Sequence, residues 1–311
     1  MSQINTEGCT LTTCPMDWAY IKYLPNVPAN AFFLALFGVL LAVQLLFGIR
    51  FKTWTYTVAM VPGLILEVLG YVGRVMMHNN PFNFTAFLLY LIPLTIAPAF
   101  FTAGIYLCLG RIVIIYGEQI SRIRPRTYTI IFVSCDILAL ILQAAGGAIT
   151  SIAQSDEQSL SDAGVNIMIA GLAFQVASLT LFIILAGEFA LRVRRSPEET
   201  RNEATDSLRH NWKWKMFLLG LAIAILTIFT RSIFRVAELK GGFDSSLAND
   251  EVALMVLEST MIAIACISMT GAHPAVAMGH RWKEFTVKPR KNVISEEPKT
   301  SLSGSGYTSE I

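Results

Sequence analysis

The sequence predicts an all-α, polytopic membrane protein: a bundle of seven transmembrane helices with its N-terminus outside and its C-terminus cytosolic. Seven continuously apolar runs have about the 20 residues that a helix needs to cross roughly 30 Å of hydrocarbon, whereas barrel strands would alternate over about ten. Composition agrees, with 54% hydrophobic and 15% charged residues among 311 and a mean hydropathy of +0.54, far from a soluble domain of this length. The orientation follows from the cations: eighteen of the 24 Lys and Arg fall after the first, third and fifth runs or in the C-terminal tail, and only Lys22 and Lys240 on the other side.

Residues 1–29 form an extracellular segment with no basic region and short apolar core of a cleavable signal, so the first span is expected to direct insertion. Cys9 and Cys14 lie there, and across so short a loop pairing in an oxidising compartment and free thiols both stay open. The seven-helix bundle occupies 30–279. Its first span, 30–49, is followed by Arg50 and Lys52; the second, 54–76, contains Pro62 and the charged stretch EVLGYVGRVM. Asn83-Phe84-Thr85 is a glycosylation triplet in the outer loop that follows, close to the membrane surface. The third span, 84–109, holds Pro93 and Pro98, which remove backbone donors and free carbonyls to face an interior. Arg122, Arg124 and Arg126 precede the fourth, 128–150. The fifth, 165–190, ends on Glu188, placed for a helix-end pair with Arg192, and leads to a loop rich in both signs. The sixth and seventh are 216–235 and 252–278. Beyond His280 the composition turns to Lys, Glu, Ser, Pro and Gly, so 280–311 is expected to be a disordered cytosolic tail. Cys108, Cys135 and Cys266 fall within spans as packing residues. Asp156, Glu157, Asp162, Asp244 and Asp250 give the outer loops an acidic character.

Four arginines remain inside or at the ends of spans: Arg74, Arg111, Arg231 and Arg235. Each would cost roughly 2.5–3.5 kcal/mol at a helix centre, so each needs a partner or water. Glu67, Gly70, Tyr71 and Arg74 share one face of the second span at i, i+3, i+4 and i+7. The two charges stand about 10 Å apart along the axis, too far for a direct pair, so each calls for a group on another helix. Arg231, Arg235 and Glu238 repeat the pattern in the sixth span, and Glu251 and Glu258 lie seven apart in the seventh, which maps an ionic cluster to the outer half of the bundle. Deeper, Arg111 is placed to face Asp136, while Gln143, Gln175 and Tyr106 add polar groups at mid-depth. These groups would line a polar interior as a translocation pathway, or form a buried network that holds helix register.

Several chemistries are excluded. No GxxxxGK[ST] is present for nucleotide hydrolysis, no Lys lies within a span for a Schiff base, and His78, His210, His273 and His280 lack zinc-ligand spacing. No metal, cofactor or enzymatic activity is expected, and His273 before Pro274 reads as a helix-end feature. The net charge of +2 marks topology beside anionic lipid and not a nucleic-acid partner.

EVLGYVGR, APAFFTAGIYLCLGR, Asp136 to Gln143 with Gly146-Gly147, GLAFQ, RSIFRVAELKGG and HPA resemble, in this order, the motifs of the fungal RTA-like family of lipid-translocating exporters. The likeness covers nearly the whole bundle, including the WAYIKYLPNVPAN approach to the first span. It implies a seven-helix plasma-membrane protein, or one of another endomembrane such as the vacuole, that moves amphipathic lipids such as sphingoid long-chain bases and confers resistance to toxic amphiphiles. The resemblance carries Glu67, Gly70, Tyr71, Arg74, Pro98, Tyr106, Arg111, Asp136, Gln143, Gln175, Arg231, Arg235 and Glu238 over as motif positions. The seventh span departs from the pattern: Met255 replaces an aromatic, Glu258 an Asp, and Ala275 a Gly. Family members are also linked to porphyrin uptake and to regulating other lipid transporters. A lipid sensor with the same seven-helix topology is therefore the alternative to an exporter, and the cargo and oligomeric state stay open.

Overall fold

The computed structural model describes residues 9, 11, 13–16, 19–117, 119–152, 158–196, 206–240, 250–278 and 282, and these contain helices and turns without a strand. Seven helical segments are long and apolar enough to cross a membrane. The expected disordered tail other than Trp282, which is buried, and Asp156, Glu157 and Asp244 lie outside the described residues.

α1 (Val27–Phe51) starts where the Asn26 side chain accepts from the Ala29 amide, with proline in its first turn. It ends on Lys52, whose left-handed φ of 54° lets its amide bond back to the Gly48 carbonyl. That tight stop reverses the chain into α2 (Trp54–Asn79). Asn83 caps α3 (Phe84–Tyr116) by accepting from the Ala86 amide, and α3 ends on Gly117 at φ 120°. α4 (Pro125–Ile152) and α5 (Gln158–Arg195) follow, then a four-residue turn, α6 (Asp206–Arg209), and α7 (Trp212–Lys240). The seventh span is composite. Asp250 caps α8 (Glu251–Leu254), a π-helical turn spans Met255–Thr260, α9 (Met261–Gly271) continues, and after a break at Ala272-His273 comes α10 (Pro274–Met278).

Most spans extend beyond their purely apolar runs because polar flanks continue the helix into the interface; α5 overshoots most, at 38 residues. Pro62, Pro93 and Pro98 lie inside continuous helices. Neighbours follow chain order, α1 on α2, α2 on α3, α3 on α4, α4 on α5, α5 on α7 and α7 on α9, and α9 returns to α1 to close the ring. α3 also touches α7 across the bundle, which makes it the inner helix and accounts for its long list of buried positions. Val39, Leu46, Ile130, Ile141, Ile184 and Leu226 are exposed on the outside, as a lipid-facing surface requires.

Glycines bring the helices within backbone contact, since without a water-driven hydrophobic force the pairs gain from close packing. A Cβ on Gly73 of α2 would lie 2.6 Å from the Tyr90 nitrogen of α3, and one on Gly146 of α4 2.6 Å from the Gly164 carbonyl of α5. A Cβ on Gly38 would meet nothing within 4 Å. Gly73→Ala is therefore expected to lower stability by about 1–3 kcal/mol, because a main-chain neighbour cannot yield as a side chain does. Gly38→Ala should be neutral or stabilising by up to ~1 kcal/mol. Thermal unfolding of the detergent-solubilised variants checks both.

Candidate functional site: a buried ionic cluster

The 3.6-residue period brings Arg231, Arg235 and Glu238 of α7 to one stripe, and the ring closure sets that stripe against α3 and the π-turn. In a π-turn the backbone bonds skip to i−5, shifting the side-chain register by one residue from a regular helix. Glu258 sits within it, and the Thr260 hydroxyl donates to the Met255 carbonyl five residues back. Arg231 Nη2 donates to Glu258 Oε1 at 2.7 Å and to the Leu94 carbonyl of α3 at 2.7 Å. Arg235 Nη1 donates to Glu238 Oε2 at 2.8 Å and Nη2 to Thr95 Oγ1 at 3.3 Å, while its Nε stands 3.8 Å from Glu258 Oε1. The Arg231 and Glu258 side chains are 5% and 3% exposed, so this is a desolvated group of charges and not a surface pair.

Glu67 of α2 lies within electrostatic reach of Arg231 and Glu258, yet its Oε1 is buried without a hydrogen-bond partner. One turn on, Tyr71 stacks on Phe33 and Phe37 of α1 with ring centroids 5.5 Å away, its hydroxyl likewise unpartnered. Arg74 is answered by neutral groups: Nε donates to Asn30 Oδ1 at 2.7 Å, Nη2 to the Tyr23 hydroxyl at 3.2 Å, and the guanidinium lies 5.0 Å from the Tyr90 ring centre. Burial pushes the Tyr23 phenol above its ordinary pKa, against the pull of Arg74. Residues before α1 thus close over this end of the bundle, with the Pro25 carbonyl against His78 Nδ1 at 2.8 Å. Cys9 and Cys14 form a disulfide there.

The remaining residues singled out from the sequence separate into other places. Glu251 accepts from the Asn26 amide at 2.6 Å and pairs with no arginine among the described residues, because it occupies the first turn of α8 beside the entry to α1. Arg111 does not face Asp136. It sits at the opposite end, where its guanidinium covers the Trp282 ring at 3.4 Å and donates to the Trp282 carbonyl and to Thr55 Oγ1. An arginine one turn from the end of α3 reaches outward to the nearest acceptors. Asp136 instead accepts from Thr102 Oγ1 at 2.7 Å, with Tyr106 close by but its hydroxyl unpartnered. Gln143 donates to Gln175 at 3.1 Å between α4 and α5. The expected single interior is therefore three groupings. A cavity of about 210 Å³ lies elsewhere, lined by Trp212, Lys213, Phe217, Ala272 and His273 and by none of the ionic residues.

Glu188 accepts from Arg192 at 2.7 Å, and His273 Nδ1 accepts from the Ala275 amide at the start of α10. Asn83 is exposed, with its side-chain oxygen engaged as the α3 cap. Asn30, Thr95, the Leu94 carbonyl and Trp282 were not singled out from the sequence. A polar Asn on the inner face of an apolar helix was the one available signal; the carbonyl and the Trp depend on tertiary placement.

A family model described as RTA1 like protein matches residues 60–281. The sphingoid long-chain base transporter RSB1 of Saccharomyces cerevisiae (strain YJM789) is 34% identical over 297 residues, covering 87% of this chain and 77% of its own. Protoporphyrin uptake protein 1 of S. cerevisiae (strain ATCC 204508 / S288c) is 29% identical over 209 residues, 67% of this chain and 65% of its own. Protein RTM1 of S. cerevisiae is 28% identical over 207 residues, 66% of this chain and 63% of its own. No solved structure matches the chain.

Glu258→Ala is expected to destabilise the bundle by about 3–5 kcal/mol, since Arg231 would keep only a carbonyl as acceptor. Glu258→Ala combined with Arg231→Ala should lose clearly less than the two single losses added together, because the second change removes the stranded charge. Thermal unfolding of the three variants decides it.

Proposed function

Because the chain belongs to the RTA1-like protein family, we propose that it moves amphipathic lipids with a cationic head, of the sphingoid long-chain base type, between the leaflets of a cellular membrane. The observation that carries this reading is the asymmetry of the cluster. Glu258 and Glu238 are each paired with an arginine, although Glu258 Oε2 also lacks a hydrogen bond, whereas Glu67 is a buried acid with no ion pair among the described residues and with Oε1 unpartnered. An ammonium group entering there finds a charge-assisted acceptor without displacing an existing pair. Tyr71 and Arg74, on the same face, extend that surface toward the end of the bundle closed by Tyr23. The alkyl tail stays against lipid, where its transfer is neutral, so the protein has only the polar head to accommodate. Asp136 with Tyr106, Arg111, and the Gln143–Gln175 pair are assigned to other positions of the head along the bundle.

The cluster is closed in this conformation, so passage requires helices to part around α3. We infer an outward N-terminus, supported by the cation bias of the sequence and by the disulfide at that end. We infer from the family resemblance residence in the plasma membrane, with another endomembrane such as the vacuole as the alternative, and protection against toxic amphiphiles. The sensor reading keeps one observation in its favour: a tightly paired buried cluster also suits a receptor that binds and does not release to the far side.

Glu67→Gln and Arg235→Ala are expected to abolish export of a labelled sphingoid base from cells while surface expression persists, and normal efflux in both would exclude the pathway. Purified protein in liposomes should move a fluorescent long-chain base between leaflets. Binding without movement there would favour the sensor.

A further inference from the structure

Arg231 uses one nitrogen, Nη2, for two acceptors, and one of them is a backbone carbonyl in the middle of α3. In an uninterrupted helix the Leu94 carbonyl would be taken by the amide four residues on. That residue is Pro98, which has no amide hydrogen and whose ring pushes the i−4 carbonyl off the helix axis. Leu94 therefore keeps a vacant carbonyl, and α3 packs against α7 where Arg231 can reach it. Held through Nη2 between that carbonyl and Glu258, Arg231 makes no hydrogen bond to Glu67, a further carboxylate within its electrostatic reach, and its Nε is unpartnered.

We propose that Pro98 is a positioning residue that sets the specificity of the cluster for a cationic head: by leaving the Leu94 carbonyl to Arg231, it keeps Glu67 free to receive an ammonium group. This rests on the reading of Glu67 given above and adds the reason it is left without an internal ion pair. Were an amide present at position 98, the helix would reclaim the Leu94 carbonyl. Arg231 would then be released on one side, and Glu67, within its electrostatic reach and with Oε1 unpartnered, is available to it. An internal guanidinium and an external ammonium compete for the same carboxylate, so the protein would lose affinity for amines and keep it for neutral amphiphiles.

The test is half-saturation of purified protein by a fluorescent long-chain amine and by a matched long-chain alcohol. Pro98→Ala should weaken amine binding roughly tenfold, the worth of one charge-assisted contact, and leave the alcohol unchanged. In an Arg231→Gln background the same change should have no effect on the amine, since the competing guanidinium is gone. Equal weakening of both probes, or the same loss with and without Arg231, would mark Pro98 as a structural kink and overturn the proposal. Should Pro98→Ala fail to fold, Glu258→Gln releases Arg231 from its other anchor; the same amine-selective loss, relieved by Arg231→Gln, is required, and its absence refutes the idea. The failure of Glu67 as an amine site is separately visible: Glu67→Gln would leave wild-type amine binding intact. In that case, coupling between Pro98→Ala and Arg231→Gln in thermal unfolding still distinguishes whether the proline acts through this arginine.

Discussion

A guanidinium does not shed its proton inside a protein, so every arginine carried into the membrane obliges the fold to deliver an acceptor to it. Four arginines impose that obligation here, and all four are buried. The ring of helices can be understood as the arrangement that meets it. α1 brings Asn30 to Arg74, α3 turns a carbonyl and Thr95 toward α7, the π-turn offers Glu258 to Arg231 and Arg235, and the chain beyond α10 lays Trp282 over Arg111. Two of these answers are ionic and two are neutral, and the difference shapes the electrostatics. Where carboxylates are spent on arginines the site is internally balanced; where amides, phenols and carbonyls do the work, acids such as Glu67 and Asp136 are left without a cation.

Helix irregularity is the means by which the cluster is assembled. Regular α-helices hide their polar backbone completely, which suits lipid but offers nothing to a buried charge. A proline in α3 and a π-turn opposite it each break that closure locally, one exposing an acceptor and the other shifting the register of a carboxylate. The energetic penalty of a lost helical bond is offset because the freed group is not left alone. Glycines at Gly73 and Gly146 make the complementary contribution by drawing helix pairs together until such short side-chain reaches become possible.

Much of this was legible in the residues. Seven apolar runs of membrane length specify the spans, and helical spacing placed Arg231, Arg235 and Glu238 on one stripe with Glu258 at a similar depth, since period and length are local properties. What stayed hidden was whatever depends on which helices meet. Opposite sign and similar depth suggested Arg111 against Asp136, but depth along the normal says nothing of position around the ring, and the arginine turned to the end of the bundle instead. Glu251 likewise matched Glu258 in spacing yet fell on a different register because the π-turn intervenes. The partner of Arg74 was invisible for another reason: a search for compensating charge passes over an asparagine.

Trp282 gives the molecule a boundary that its hydropathy does not show. The ring is buried although it lies past the final helix, and it covers a guanidinium that otherwise has only Thr55. Asn30 plays the matching part at the other terminus. Both stand outside residues 60–281, so the stretch that the family model matches lacks, by itself, one contact to an arginine at each end. Any excised fragment must retain the flanks on both sides, or it would leave one positive group at each end of the barrel of helices without its counterpart.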